Sequence, residues 1–377
     1  MVNTELVETR VGNMTLRTDT LHIAVVAPPW FEIPPRRYGG IEAMCHGLVE
    51  GLAARGHEVT LIAAGRANTR ARFIRTLPEP PSERLGESLP EILHATVAGR
   101  ALQELEVDVI HDNSFAGPLL AYGRGIPTVV TAHGPVEGEL GEYYAALPSS
   151  IRLVAISEAQ RRRAPHLGWC AIVHNGIPVH EYPFSAEKDD FALFLGRMSP
   201  EKAPHLAIDA CRQAGVDLAV AAKCSEPAER HYFEAEVKPR LGPDVDYLGE
   251  VGGAAKKDLL ARARCLVFPI QWEEPFGIVM VEAMACGTPV VALRGGSVPE
   301  VVADGISGFV CASPEDLPEA IKRSDIIDPA DCRSRALRFD VSRMVSGYEQ
   351  LFMKMAQETR PGFLHRAVTS LDRIPSL

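Results

Sequence analysis

The chain has 377 residues, which is long enough for two domains of ordinary size. Hydrophobic residues make up 46% of it and charged residues 23%, as in an ordinary soluble protein. The formal net charge of -10 argues against nucleic acid as a main partner, because proteins that bind nucleic acid usually need a basic surface.

The first 20 residues are polar and resemble neither a secretory signal nor a transit peptide, so we expect a poorly ordered extension there. No apolar run approaches the roughly 18 residues that a membrane span requires. The eight cysteines are scattered, without a Cys-x-x-Cys pair or the cysteine and histidine spacing of a zinc site, which favours reduced thiols over disulfides or bound zinc. The sequence therefore predicts a cytoplasmic protein with no membrane span.

Short apolar runs alternate with helical segments through the first half of the chain. Strands are predicted at residues 23–27, 59–63, 107–111, 128–131, 153–156 and 171–173, and helices at 40–54, 91–105 and 157–163. This alternation favours a parallel sheet with crossover helices. We expect a doubly wound, Rossmann-like domain over residues 21–180.

A second series of strands is predicted at residues 191–195, 218–221, 247–248, 265–269 and 290–292. Turn-forming residues between 175 and 185 separate the two series and indicate a linker. We therefore expect a second Rossmann-like domain over residues 181–340, facing the first across a cleft. Ligands of such domains bind at the carboxyl ends of the strands. Residues 341–355 have the apolar spacing of an amphipathic helix, within a C-terminal segment of residues 341–377.

The loop after the first predicted strand contains Tyr38-Gly39-Gly40 and leads into a helix. Two glycines at a helix N-terminus allow the backbone to approach an anion closely. A plain turn into the helix explains the pair equally well. The segment is not a Gly-x-Gly-x-x-Gly dinucleotide fingerprint, and none follows the other predicted strands, which argues against a dehydrogenase.

Polar side chains also mark the ends of two other strands of the first half. His111-Asp112 ends one of them and would face an acceptor, and His133 ends its neighbour. A lone histidine at a strand end is more often structural than catalytic. Arg161-Arg162-Arg163 offers positive charge for an anionic acceptor, although a charge run on a helix is usually a solvated face.

Cations that suit a diphosphate follow the first strand of the second half, in Gly196-Arg197-Met198-Ser199-Pro200-Glu201-Lys202. Arg197 supplies a planar fork of donors and Lys202 a point charge at a helix start. Two surface cations in a loop are the alternative. Because Arg197 and Lys202 follow the carboxyl end of a strand, we expect them in the cleft rather than on an outer surface.

Two glutamates eight positions apart flank an apolar segment further along, in Glu274-Pro275-Phe276-Gly277 and at Glu282. Pro275 and Gly277 fit a tight connection into a helix, whose first N–H groups are unpaired. Carboxylates beside N–H donors suit a ligand that carries both hydroxyls and a phosphate. Asp244-Val245-Asp246 spells a manganese-binding motif but is predicted to enter a strand, so we assign no metal.

Together, these segments resemble the retaining GT-B-fold glycosyltransferases of family 4, the group 1 glycosyltransferases. Three further segments follow in the order of that family: Leu248-Gly249-Glu250-Val251, Gly287-Thr288-Pro289-Val290 and Gly295-Gly296-Ser297-Val298-Pro299-Glu300. The resemblance implies that His133, Glu274, Arg197 and Lys202 serve catalysis. It implies a donor site of Gly39, Gly40, Glu250, Phe276, Gly277, Ile278 and Glu282. Tyr38, His111 and Asp112 would lie on the acceptor side. It also implies that the terminal helix crosses back to the first domain.

The reaction that the resemblance implies moves a hexose, with UDP-glucose as the expected donor, to an acceptor hydroxyl by a retaining, metal-independent front-face mechanism. The opening of the first domain resembles a bacterial subgroup labelled UDP-glucose:tetrahydrobiopterin glucosyltransferase. Two alternatives stay open. A nonhydrolysing nucleotide-sugar 2-epimerase shares the architecture, and a non-catalytic nucleotide-sugar-binding protein would fit the same motifs.

Overall fold

The computed structural model of the protein describes residues 20–359. Residues 1–19, where the poorly ordered extension is expected, and residues 360–377 lie outside the described part. Within it, two parallel sheets follow one another along the chain, and a final helix returns to the first sheet.

The first sheet has seven parallel strands: β1 (His22–Val26), β2 (Glu58–Ala63), β3 (Arg72–Arg75), β4 (Val109–Asp112), β5 (Thr128–Ala132), β6 (Ile151–Ala155) and β7 (Trp169–Ile172). Their order across the sheet is β3-β2-β1-β4-β5-β6-β7. The helices between them are α1 (Gly40–Ala54), α2 (Ser88–Gln103), α3 (Gly138–Ala146) and α4 (Glu158–Arg163).

The second sheet has six parallel strands: β8 (Phe191–Arg197), β9 (Asp217–Lys223), β10 (Val245–Gly249), β11 (Cys265–Phe268), β12 (Val290–Leu293) and β13 (Gly308–Cys311). Their order is β10-β9-β8-β11-β12-β13. The helices are α5 (Pro204–Ala214), α6 (Pro227–Tyr232), α7 (Gly253–Arg262), α8 (Ile278–Ala285), α9 (Val298–Val301), α10 (Leu317–Lys322) and α11 (Pro329–Ala336).

Both faces of each sheet are buried, which explains the continuous apolar runs in the sequence. In β1, Ile23 and Val25 pack with α1, whereas Ala24 and Val26 pack with α2 on the other face. The same alternation divides β8 between two hydrophobic clusters.

The last helix, α12 (Val341–Thr359), packs on the first sheet rather than the second. Its side chains Tyr348 and Phe352 are fully buried against strands and helices of the first sheet. Gly51 of α1 allows close approach, because a Cβ there would lie 2.4 Å from a methyl group of Val345. The helix that follows the second sheet in sequence therefore packs on the first sheet.

Strands β3 and β13 are missing from the sequence prediction. Both are four-residue strands at the edge of their sheet. Arginines flank the apolar pair of β3, and β13 begins with a glycine, so neither strand forms a continuous apolar run. Gly308 opens β13 at φ 152°, where a Cβ would lie 2.0 Å from the carbonyl oxygen of Val290. Among residues 20–359, no helix is both long and apolar enough to cross a membrane.

Candidate active site

The expected site segments converge where each sheet reverses its strand order. β1 lies between β2 and β4, and β8 lies between β9 and β11. Doubly wound sheets bind ligands at the carboxyl ends of strands at such a switch point. The 27–40 loop follows β1, Arg197 ends β8, and the segment 269–277 follows β11. The strand order of the two sheets therefore explains why these segments, which lie far apart in sequence, lie close together in the fold.

The loop that contains Tyr38, Gly39 and Gly40 reaches the second domain. The Tyr38 N–H donates to the Glu250 carboxylate at 3.1 Å. Gly39 has a φ of 139°, and a Cβ there would lie 2.7 Å from Pro35, so the position requires glycine. A Cβ on Gly40 would lie 3.7 Å from a methyl group of Ile278. The N-termini of α1 and α8 therefore lie close together across the cleft.

Tyr38 was expected on the acceptor side, but its ring lies against cations of the second domain. The Lys223 ammonium lies 5.7 Å from the ring centroid, and Arg197 lies close enough to interact electrostatically with the hydroxyl. Burial raises the pKa of Tyr38 to about 12, so the hydroxyl stays protonated. Tyr38 therefore lies beside Arg197 and Lys223, and its place on the acceptor side stays a prediction.

Glu274 and Lys202 form a buried ion pair at the start of α8. The Glu274 Oε2 atom accepts from Lys202 Nζ and, at 2.9 Å, from Trp272 Nε1. Lys202 Nζ also lies 4.9 Å from the Trp272 ring. Glu274 Oε1 has no hydrogen-bond partner within residues 20–359, so one carboxylate oxygen is available to a ligand.

The helix behind this ion pair begins at a turn that requires glycine. Gly277 has a φ of 70°, and a Cβ there would lie 2.6 Å from Met280. Phe276 is buried under it, against His174 and Phe339. Pro-Phe-Gly therefore fixes the direction of α8, and its first N–H groups point out of the helix beside Glu274.

A third cation, which the sequence analysis missed, lies beside Arg197. Lys223 ends β9 directly opposite Arg197 in the sheet register, and its side chain is 3% exposed. It pairs with Glu226 at 2.5 Å and with Glu229 at 3.0 Å. Arg197 itself bonds Glu201 at 2.7 Å. A lysine at the end of the apolar strand Leu-Ala-Val-Ala-Ala was the available signal.

Glu282 is held from two sides within α8. Its Oε1 atom accepts from the Tyr182 hydroxyl at 2.8 Å and from Lys256 Nζ at 2.6 Å. Neither partner was predicted, because both lie far from Glu282 in sequence. The carboxylate is thus fixed in orientation, and its Oε2 atom has no hydrogen-bond partner in the described part of the chain.

Glu42, in the first turn of α1, is a second residue that the sequence analysis left without a role. It is 3% exposed, and a Cβ on Gly39 would lie 3.3 Å from its Oε2 atom. Burial raises the pKa of Glu42 to about 8, against hydrogen bonds from backbone N–H groups. A carboxyl that is mostly protonated near pH 7 therefore lies directly under the Gly39-Gly40 turn.

His133 lies at the end of β5, half-buried, with Nε2 2.9 Å from Asn113 Oδ1. Burial lowers its pKa to about 3, so the ring is neutral near pH 7. The sequence placed this histidine correctly at a strand end, but it did not identify Asn113 as a partner.

His111 and Asp112, which were expected on the acceptor side, are both buried. His111 has no exposed surface, because Tyr348 and Phe352 of the returning helix stack on it at centroid distances of 4.7 and 5.5 Å. Asp112 is 1% exposed and accepts from the backbone and hydroxyl of Ser114. Burial raises the pKa of Asp112 to about 6. Both are core residues of the first domain.

A cavity of about 220 Å³ opens between the two domains beside Glu274. Its first-domain wall is residues 134–137 and part of α4, and its second-domain wall is residues 272–275 and Gly296. Arg163 spans it, bonding Glu137 at 2.6 Å and Glu273 at 3.0 Å. Of the three arginines on α4, Arg163 therefore bridges the cleft, and Arg162 also lines it.

The Asp244-Val245-Asp246 motif lies away from these groups. Asp244 is bound by the Arg212 guanidinium at 2.8 and 3.1 Å, and Asp246 is exposed on β10. The motif is a strand entry, as its sequence context predicted.

Comparison with known proteins identifies the family. Residues 38–181 match the family described as Glycosyltransferase Family 4, and residues 180–325 match Glycosyl transferases group 1. D-inositol 3-phosphate glycosyltransferase 1 of Catenulispora acidiphila is 30% identical over 325 residues, covering 73% of this chain and 77% of that protein. The chain is a group 1 glycosyltransferase. This confirms the expected family and enzyme class.

The names of other proteins similar to this glycosyltransferase refer to different substrates or pathways. The glycogen synthase of Mycobacterium tuberculosis is 28% identical over 376 residues, covering 85% of this chain and 90% of its own. Among solved structures, AviGT4, a glycosyltransferase of avilamycin A biosynthesis, superposes with a TM-score of 0.70 at 24% identity, over 89% of this chain and 98% of its own. HepE of Anabaena, solved with UDP and glucose, gives 0.70 at 19% identity, over 89% and 100%. These likenesses confirm the GT-B fold.

Proposed function

We propose that this glycosyltransferase moves a hexose from a UDP-sugar to an acceptor hydroxyl, with retention of configuration and without a metal. The observation that carries the proposal is the buried Lys202–Glu274 pair at the N-terminus of α8, facing the Gly39-Gly40 turn. Lys202 would neutralise a phosphate, and Glu274 would accept hydrogen bonds from hydroxyls. The N-termini of α1 and α8 would supply N–H donors from both sides.

The diphosphate would lie between the two helix N-termini. Arg197 and Lys202 would bind its oxygens, with the Gly39 and Gly40 backbone on the opposite side. Lys223 lies behind Arg197, but Glu226 and Glu229 neutralise its charge, so it would position the end of β9 rather than bind the diphosphate. Because negative charge grows on the leaving diphosphate in the transition state, preorganised cations stabilise that state more than the ground state.

The sugar and the ribose would bind on either side of the diphosphate. Glu274 Oε1 and the backbone of Phe276 and Gly277 would hold the sugar hydroxyls, and His133 would close the far edge. Glu282, fixed by Tyr182 and Lys256, would bind the ribose hydroxyls. Ile278 would pack beside Gly40, and Glu250 would hold the loop through the Tyr38 N–H.

Transfer would proceed on one face of the sugar. The bond from C1 to the diphosphate oxygen breaks, a bond from C1 to the acceptor oxygen forms on the same face, and the acceptor proton moves to the departing phosphate. No protein base is required in this step. Burial lowers the pKa of His133 to about 3, which makes its ring a weak base, and Glu274 is held in an ion pair with Lys202.

UDP-glucose is the donor we propose, because HepE of Anabaena shares the fold and was solved with UDP-glucose. The acceptor would enter by the cavity between residues 134–137 and Glu273. Its charged rim of Arg163, Glu137 and Glu273 suits a polar acceptor, and a pterin is one candidate, as the subgroup resemblance suggests.

The test has two parts. A panel of UDP-, GDP- and ADP-sugars is scored by thermal unfolding, where a ligand at 100 times its Kd adds about 2.7 kcal/mol of stability. The stabilising donor is then incubated with polar acceptors, and nucleotide release is followed. Stabilisation by UDP-glucose with acceptor-dependent UDP release supports the proposal. Preference for another nucleotide, or a C2 epimer formed without acceptor, would contradict it.

A further inference from the structure

A series of hydrogen bonds runs from His133 into the core of the first domain through Asn113, the first residue after β4. His133 Nε2 lies 2.9 Å from Asn113 Oδ1. Asn113 Nδ2 lies 3.2 Å from the carbonyl oxygen of Val26 and 3.4 Å from His111 Nδ1. The backbone N–H of Asn113 donates to the same Val26 oxygen at 2.9 Å. Asn113 is 7% exposed, so its amide is held in place on every polar atom.

The Val26 carbonyl determines which way this amide points. A carbonyl oxygen can only accept, so the nitrogen of Asn113 must face Val26 and its oxygen must face His133. An amide oxygen also only accepts, so His133 Nε2 must carry a hydrogen and donate it. The neutral ring holds one hydrogen, which leaves Nδ1 as a lone-pair acceptor. Nδ1 has no hydrogen-bond partner within residues 20–359.

We infer that Asn113 is a positioning residue that locks His133 in the Nε2–H tautomer, so that Nδ1 accepts a hydrogen bond from a hydroxyl of the donor sugar. The inference rests on the proposed function, which places His133 beside that sugar. A neutral acceptor suits a hydroxyl and repels a carboxylate. The site should therefore prefer a neutral hexose to a hexuronic acid of the same stereochemistry.

The tautomer can be measured without activity. In ¹⁵N-histidine-labelled protein, the ring nitrogens of His133 are assigned by their disappearance in His133→Gln. We expect a protonated Nε2 and an unprotonated Nδ1 in the wild type, and a mixture of tautomers in Asn113→Ala. A protonated Nδ1 in the wild type would overturn the inference, whatever the enzyme transfers.

Kinetics test the consequence for catalysis. Asn113→Ala should lower kcat by about 10- to 100-fold, the range seen when a partner that orients a functional histidine is lost. UDP affinity should stay within twofold, because UDP lacks the hexose that His133 would contact. UDP-glucuronate should become a relatively better donor than in the wild type.

Thr131→Val is the matched control. Its hydroxyl bonds His111 at 2.8 Å and Tyr348 at 2.7 Å, so the variant breaks the same network beyond Asn113 and leaves the His133 contact intact. It should lose stability but keep kcat. Equal loss of kcat in both variants would show that Asn113 acts only through folding. Normal kcat in Asn113→Ala with a large loss in His133→Ala would refute the positioning role and leave the proposed function standing. A wild type that uses no donor would refute the proposed function, and the tautomer measurement would still decide the inference.

Discussion

Replacing Glu274 with glutamine should lower turnover with little effect on UDP binding. Oε2 is occupied by Lys202 and Trp272, so Oε1 is the atom that meets a sugar hydroxyl. A hydrogen bond to a charged group contributes about 1.5–3 kcal/mol. Contacts to the sugar strengthen as the ring flattens in the transition state. At about 1.4 kcal/mol per factor of ten, we expect a loss of roughly 10- to 150-fold in kcat.

Glu282→Gln is the matched comparison, because it removes the same charge from a site that does not react. The ribose is unchanged during transfer, so its contact is equally strong in the ground and transition states. Loss of such uniform binding raises KM for the donor and leaves kcat nearly constant. Free UDP should weaken by a similar roughly 10- to 150-fold, because it retains the ribose.

Initial rates over donor concentration, and calorimetric titration of UDP into both variants, separate the two roles. The account requires a kcat effect in Glu274→Gln and a UDP-affinity effect in Glu282→Gln. Equal weakening of UDP in both variants, or weakening in Glu274→Gln alone, would show that the sugar and ribose contacts are assigned to the wrong residues.

Three further predictions concern charge. Arg197→Ala and Lys202→Ala should each lower kcat by about 10²–10³-fold, measured by single-turnover rates, since each removes a preorganised cation; values within threefold of wild type would remove both from the diphosphate. Activity should survive EDTA, and a loss that manganese restores would assign a metal. Glu42 should make the protein less stable as pH rises, because its folded pKa of about 8 exceeds the ordinary glutamate value of 4.5 and the folded state holds the extra proton between those values. Urea unfolding from pH 5 to pH 8.5 should show this fall diminished in Glu42→Gln; an unchanged slope would mean that Glu42 ionises normally.

The sequence predicted both sheets and the carboxyl-end position of most site residues because those features are local. Buried parallel strands read as apolar runs, and the Pro-Phe-Gly and Gly-Gly turns carry their own signals. The predicted strand at residues 128–131 and the observed Thr128–Ala132 differ by one residue. Edge strands such as Arg72–Arg75 carry too little apolar character to be distinguished from a loop.

The partners of the site residues were out of reach for a different reason. Lys256 and Tyr182 meet Glu282 from 26 and 100 positions away, and no local pattern records such a pairing. The burial of His111 depends on Tyr348 and Phe352, which lie more than 200 positions later, on the helix that packs back on the first sheet. The helix was expected from its apolar spacing, but its effect on His111 follows only from the packed structure.

The anomeric configuration of the product tests the central claim most directly. Purified enzyme, UDP-glucose and a panel of polar acceptors are followed by proton NMR, which resolves the anomeric signal of any new glucoside. The account predicts an α-linked product that appears together with UDP and only when acceptor is present. A β-linked product, or a C2 epimer of the donor, would contradict it.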